Sequence, residues 1–398
     1  MNSTPLSLKK ECEGRLKSGH CWVFSNEVDT QKTPLQDLLP GQQVDILTAQ
    51  DRWLGSGYAN PHSLICARLV SRDSRHPLNA SLLVHRVKIA LSLRERLFPK
   101  PYYRLLFGES DGLPGVVADR FGAVVVVQIN TAGMERLKEE VVAALDKVLR
   151  PECVILRNDS PIRETEGLER YVAVAKGKMP ESLTVEENGA SFRVPAADGQ
   201  KTGWFFDQAF NRARMRKYVE GKRVLDVFSY VGAWGVQAAT AGASDVFCVD
   251  SSSAALDRVE LNAQLNGVIE QVAVLHGDAF DAMRELRSEQ QKFDVVMVDP
   301  PAFIKRRKDL REGALAYRRL NLAAMQLLSK DGVLITSSCS HHMAAANLLQ
   351  TVQKAARHLD RSLQLLEQGF QSADHPIQPV IPETAYLKTF YLRVLPTF

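Results

Sequence analysis

The chain has 398 residues, of which 45% are hydrophobic and 24% charged, with a formal net charge of +4. That length exceeds one ordinary core, so a soluble globular protein of two or three domains is expected, and the small net charge by itself selects no partner. Six cysteines, at positions 12, 21, 66, 153, 248 and 339, have no CxxC spacing, and no run of 18 apolar residues occurs. An evident zinc site, a standard secretion signal and a membrane span are thereby excluded, and a cytoplasmic protein with reduced thiols is expected.

Residues 1–72 carry short strand-like runs at 20–25, 43–48, 53–58 and 65–70, punctuated by Gly and Pro. They argue for a small, mostly β, barrel-like module, with a helix as the alternative reading of residues 8–16. Trp22 and Phe24 alternate with Cys21 and Val23, so one pair faces in and the other out; core packing is preferred to base stacking for both aromatics. A polar stretch at 71–79 marks a boundary, and apolar residues then recur at helical spacing over 82–97. Asp111-Gly112 and Phe121-Gly122 are turn signals in a hairpin or meander. An amphipathic helix at 134–149 and a strand at 154–157 complete a small α+β domain.

Two short strands around an Asn188-Gly189 turn follow at 184–194, and then a basic helix at 212–218. The clusters Arg212, Arg214, Arg216, Lys217 and Lys305 to Lys308 read as solvated helix faces or as phosphate tracks, the former being favoured. From residue 223 onward strands and helices alternate: strands at 223–228, 245–249, 272–276, 293–298 and 332–337, helices at 233–240, 253–266, 279–289, 312–328 and 342–357. This alternation requires a parallel, doubly wound sheet. The last two strands, 363–367 and 386–394, are joined by a helix-free segment and so should pair antiparallel.

The loop after the first strand of this sheet, SYVGAWG at 229–235, is no dinucleotide GxGxxG. Its Gly232 lets backbone approach a ligand without a pyrophosphate cradle, which suits S-adenosylmethionine. Asp250, ending the second strand, can accept both hydroxyls of a ribose or cap the next helix; Asp278, after the third strand, has the same two readings with an adenine amino group in place of the ribose. The strongest signal is DVVMVDPPAF at 294–303. Two prolines fix a rigid, extended turn at the carboxyl edge of the sheet. There the Asp299 carboxylate and the Pro300 carbonyl can accept hydrogen bonds from a flat base, with Phe303 packed beside it. The strand at 332–337 delivers Cys339 to the same edge. A cysteine beside an acid that grips a pyrimidine suggests thiolate addition to C6, methylation at C5 and loss of the C5 proton.

WVFS at 22–25, GESDGLPG at 108–115, KTGWFFDQ at 201–208, FSYVGAWG at 228–235, DPPAF at 299–303, SCS at 338–340 and ADHP at 373–376 together resemble the bacterial 23S ribosomal RNA cytosine-C5 methyltransferases of the RlmI type, over nearly the whole chain. The resemblance implies an α/β fold class: a C-terminal Rossmann-like methyltransferase domain with an antiparallel last strand at 183–398, behind a PUA-like RNA-binding domain at 1–75 and a central α+β domain at 76–182. It implies S-adenosyl-L-methionine as cofactor, with Phe206, Asp207, Gln208, Ser229, Gly232, Asp250, Asp278 and Asp299 lining its pocket. It further implies Cys339 as nucleophile and 23S rRNA as partner, with no membrane and with a homodimer left open. Two alternatives stay open: methylation of a guanine nitrogen, and an inactive RNA-binding assembly factor.

Overall fold

The computed structural model describes residues 4–196 and 202–397. The described residues form two compact units, one from Met1–Leu183, Pro195–Phe206 and Ala373–Thr384, the other from Thr184–Val194, Asp207–Ser372 and Ala385–Phe398.

Two sheets build the first unit. Strands Thr4–Ser7, Trp22–Phe24, Gln42–Leu47, Trp53–Ala59 and Ile65–Ser71 lie in the spatial order first, third, fourth, fifth, second. The expected helix at 8–16 is only Gly14–Lys17, because Leu8 is held in a bridge to Val28. The expectation for the aromatics of the second strand is also corrected. Val23 is the buried residue, while Trp22 and Phe24 are half-buried; Trp22 Nε1 donates to Glu109 and Phe24 lies under the Arg15 guanidinium. The second sheet sets Tyr102–Phe107, Val116–Phe121, Val124–Ile129, Cys153–Asn158 and Tyr171–Lys176 side by side in chain order. Only its third and fourth strands are parallel. Between those two, the helix expected at 134–149 is broken at Leu137 into Ala132–Arg136 and Lys138–Leu149. A long helix, Ala80–Leu97, is capped by the Asn79 side chain and buries Leu83, Val87 and Ala90 in the same core as Leu105 and Val127. Tyr58 Oη donates to the Pro114 carbonyl at 2.8 Å, and Glu166 accepts from both Asn60 and Arg68, so buried polar contacts join the two sheets.

The second unit carries the sheet that the strand-helix alternation foretells. Its strands are β1 Arg223–Val227, β2 Asp245–Asp250, β3 Val272–His276, β4 Phe293–Val298, β5 Leu328–Ser338, β6 Arg361–Phe370 and β7 Lys388–Pro396. Their spatial order is β3-β2-β1-β4-β5-β7-β6, parallel through β5 and antiparallel at β5–β7 and β7–β6. The helices are α1 Ala209–Met215, α2 Gly235–Thr240, α3 Ser253–Leu265, α4 Ala279–Ser288, α5 Leu310–Leu327 and α6 Ala345–His358. Val224, Leu225, Val227, Val295 to Val298, Leu334 and Ile335 are all buried, as strands covered on both faces must be. The order of strand addition reverses between the parallel β1 and β4, which leaves a switch point at the carboxyl ends of the strands, where open α/β sheets bind ligands. Among the described residues no helix is long and apolar enough to cross a membrane.

The basic cluster around α1 is split between the interior, which takes Arg212, and a solvated face, where Lys217 is exposed. Arg212 is buried and paired through both Nε and Nη2 with Glu187, and Lys217 binds Glu367 at 2.6 Å. Lys305 to Lys308 are exposed, as a solvated face requires.

Candidate active site

The loop after β1 is built under conformational pressure. Phe228 and Tyr230 have φ of 69° and 50°, and Gly232 follows at 84°. Left-handed backbone at two aromatic residues is costly, and such strain persists where the surroundings over-determine it. Here the Phe228 and Ser229 amides both donate to the Val249 carbonyl, and the Tyr230 amide donates to Asp250 Oδ2 at 2.9 Å. A side chain on Gly232 would meet Val236 at 2.9 Å, so the turn admits only glycine without adjustment. Ser229 Oγ is buried without a hydrogen-bond partner. An orphaned hydroxyl in a tight, strained loop at the switch point fits a small polar ligand such as a nucleoside-containing cofactor.

Asp226, inside β1, is a feature that the sequence reading passed over. Its Oδ2 accepts from the Gly235 amide at 2.8 Å, its Oδ1 has no partner, and burial together with the nearby Asp299 and Asp250 charges pushes its carboxyl up to about 8. Asp250 is shared between roles: Oδ2 holds the loop, and Oδ1 accepts from the Ser252 amide at 2.9 Å. Asp278 is the N-cap of α4, accepting from Phe280 through Oδ1. The ends of β2 and β3 are adjacent, since the Gly277 amide donates to the Asp250 carbonyl.

At the carboxyl end of β4, Asp299 Oδ2 accepts from Gln208 Nε2 at 3.0 Å and from Trp234 Nε1 at 3.1 Å. Burial, reinforced by the Asp207 charge, pushes the Asp299 carboxyl up to about 6 against those two donors. Asp207 itself is buried, and its Oδ2 accepts from Tyr386 Oη at 2.5 Å. Cys339 is half-buried in the loop after β5, with Sγ 4.0 Å from the Pro300 carbonyl. Adjacent parallel strands therefore bring the thiol and the Asp-Pro-Pro turn together. Flanking serines fix the loop: Ser338 Oγ donates to Tyr317 Oη at 2.8 Å, and Ser340 Oγ lies 3.0 Å from that phenol and accepts from the Ile304 amide. Phe303 packs on the Tyr317 ring at 4.9 Å.

Lys388 is the group beside Cys339 that sequence reasoning missed. Its Nζ donates to the Ser340 and Tyr386 carbonyls, at 2.6 Å each, and burial lowers its ammonium to about 8 while the Cys339 thiolate charge pulls it back up. The antiparallel pairing of Ser338 with Lys388 puts it there. Its signal was a buried position for a lysine in the last strand, and only the register of that strand connects it to the thiol.

Of the expected site residues, Gln208 bonds Asp299 and Cys339 approaches Pro300, with Asp207 acting on Asp299 by charge, and Ser229, Gly232, Asp250 and Asp278 sit at neighbouring strand ends. Phe206 belongs to the first unit, where it packs on Phe121 at 5.3 Å. Of the KTGWFFDQ motif, Lys201 lies outside the described residues. The ADHP motif belongs to the first unit as well, where Asp374 Oδ2 accepts from the Arg104 amide at 2.7 Å.

Residues 170–393 match the family model of the S-adenosylmethionine-dependent methyltransferases, and residues 6–72 that of a PUA-like domain. The ribosomal RNA large subunit methyltransferases I of Shigella boydii and Escherichia coli O157:H7 are 37% identical to the chain, over 99% of it and all of their own length. That of Photobacterium profundum is 37% identical over 98% of both chains. In fold, the chain is similar to a S-adenosylmethionine-dependent methyltransferase from Streptococcus mutans, with a TM-score of 0.81 and 24% identity over 98% of this chain and all of that one. A candidate methyltransferase solved as its SAH complex has a TM-score of 0.83 at 23% identity over the same shares.

Proposed function

The chain belongs to the S-adenosylmethionine-dependent methyltransferases, in the family of the ribosomal RNA large subunit methyltransferases I, and from that premise we propose that it methylates C5 of a cytosine in large-subunit ribosomal RNA through a covalent Cys339 adduct. The observation that carries this reading is the 4.0 Å approach of the Cys339 thiol to the Pro300 carbonyl, one residue from Asp299.

Bound S-adenosylmethionine supplies an electrophilic methyl group on a sulfonium. Ser229 and Gly232 would hold it in the loop after β1, Asp250 at the ribose and Asp278 at the adenine, with Asp207 and Gln208 alongside. The target cytosine is flipped out of its stack, as chemistry on a base within folded RNA requires. Asp299 grips its N3 and N4 edge. Sγ of Cys339, as thiolate, forms a bond to C6; the C5=C6 pair moves to C5=C4, and N3 takes a proton from Asp299, whose raised pKa keeps one available. C5 would then take the methyl that bound S-adenosylmethionine supplies, the sulfonium carbon–sulfur bond breaking to leave S-adenosylhomocysteine, as N3 returns its proton to Asp299. Finally the C5 proton passes to water, C5=C6 re-forms, and the C6–S bond breaks to release the Cys339 thiolate. Lys388 acts as a positioning residue: its buried ammonium favours the thiolate and its two carbonyl bonds tie the loop to β7.

Nucleoside mass spectrometry of ribosomal RNA from a deletion strain complemented with Cys339→Ala tests the reading. Loss of one 5-methylcytidine that the wild-type gene restores is expected. A normal level of that nucleoside in the Cys339→Ala strain rules out the nucleophile, and a missing methylguanosine in its place favours the guanine alternative.

A further inference from the structure

A basic cleft of about 560 Å³ lies in the first unit, where the strand Ile65–Ser71 gives way to the helix Ala80–Leu97. Arg72, Arg75, His76, Asn79, His85 and Arg86 line it. These cations are not equivalent. Arg75 is answered by Asp73 through two bonds, Nε to Oδ1 at 3.0 Å and Nη2 to Oδ2 at 2.7 Å. Arg72 and Arg86 meet no carboxylate among the described residues. Arg72 is fastened by one donor, Nη2, to the His20 carbonyl at 2.8 Å. Arg86 is half-buried, its Nε is covered and without an acceptor, and its one backbone bond, to Val70, is long at 3.4 Å. Its guanidinium lies flat over Gly112, where a Cβ would come within 3.1 Å of it. Burial lowers the pKa of both arginines.

A desolvated guanidinium with unspent donors and no counter-charge is costly, and an anion that supplies both charge and acceptors removes that cost. Arginine forks match phosphate oxygens in geometry. The helix Ala80–Leu97 begins at this cleft, with Asn79 and Ser81 in its wall, so its amino-terminal dipole adds partial positive charge. The volume exceeds one phosphate and suits a nucleotide-sized length of backbone. We propose that this cleft seats a phosphodiester of the substrate RNA, with Arg86 and Arg72 as its donors. The proposal rests on the reading of the protein as an RNA methyltransferase and adds to it an anchoring site on the first unit.

The test is fluorescence anisotropy of a labelled fragment of large-subunit ribosomal RNA against the full-length protein over a range of salt concentrations. Arg72→Ala/Arg86→Ala is expected to weaken binding by about tenfold or more and to make the slope of log K against log salt shallower by about 0.7 to 0.9, as loss of one neutralised phosphate requires. Arg72→Lys/Arg86→Lys should recover the slope, and Arg75→Ala, whose charge Asp73 already balances, should change little. Cofactor affinity by calorimetry stays at the wild-type value in all of them. Arg72→Ala alone, at an exposed position, gives half of the slope change if the double variant fails to fold. Unchanged affinity and slope in the double variant, beside a wild-type protein that binds and methylates the RNA, overturns the cleft alone. An equal loss in Arg75→Ala reduces the cleft to general electrostatics and overturns it too. A wild-type protein that binds no RNA removes the RNA-methyltransferase reading along with it.

Discussion

Two buried titratable groups control what pH does at the residue scale. Lys388 keeps its charge below about 8, and that charge stabilises the Cys339 thiolate. In Lys388→Met the rate of Cys339 alkylation by iodoacetamide should therefore rise with pH later than in the wild type. A profile that does not move would leave Lys388 a purely structural residue. Asp226 works in the opposite sense. Its folded pKa, pushed up to about 8, lies above the ordinary aspartate value of 3.8. As pH rises from about 4 to about 8 the unfolded chain releases this proton and the folded one keeps it, so stability is lost across that window and is level above it. Asp226→Asn removes the loss: its stability advantage over wild type, read by native-state hydrogen exchange in β1 of the cofactor-free protein, should grow from pH 4 to pH 8 by up to a few kcal/mol. The sequence showed Asp250, Asp278 and Asp299, because each ends or follows a strand of the alternating pattern. It did not show Asp226, an acid that interrupts one and is tolerated only because the Gly235 amide points at it.

Elements set the precision of the site. The helix α2 packs so close on β2 that a Cβ at Gly235 would stand 2.3 Å from Cys248 Sγ. Gly235→Ala should cost about 1 to 3 kcal/mol of stability through overpacking, and Cys248→Ala in the same chain should recover most of it, an interaction that a double-mutant cycle measures. Across the site, α5 presents the Tyr317 phenol to Ser338 and Ser340, on either side of Cys339. Tyr317→Phe deletes both bonds while keeping the ring against Phe303. A lower kcat with little change in KM for RNA is expected, and an unchanged kcat would show that the loop needs no such hub. Most elements were legible, since the β3 and β4 bounds fall where periodicity puts them. The break at Leu137 and the short strand Thr4–Ser7 were not: one amphipathic pattern runs through the first, and the second is held by pairing with a strand some 40 residues away.

At the scale of the molecule, a few buried charges tie its parts together. Arg68 and Glu166 form a buried pair at 2.8 Å that joins the two sheets of the first unit, with Asn60 bonded to the same carboxylate. Glu166→Gln strands the Arg68 charge and should destabilise this unit by about 3 to 5 kcal/mol. Because a chain of two units need not unfold in one step, the readout is hydrogen exchange, with protection lost in the strand Ile65–Ser71 and its neighbours. Arg212 is consumed inside by Glu187 while Lys217 pairs with Glu367 at the surface, so a basic run in the sequence was divided between scaffolding and a solvated face, whereas Arg72 and Arg86, scattered in the sequence, became a basic cleft.

The sequence by itself determined the doubly wound sheet, the antiparallel return of its last strand, the switch-point loop and the two strand ends carrying Asp299 and Cys339. Each of these follows from local periodicity and turn chemistry, which act over a few residues. The tertiary structure alone decided which groups face the thiol. Lys388 and Tyr317 reach it through strand register and helix packing, and those depend on pairings that no local pattern encodes. The loop that opens after β1 remains the cofactor candidate, while the chemistry beside it is set by β4, β5 and, through Lys388, by β7.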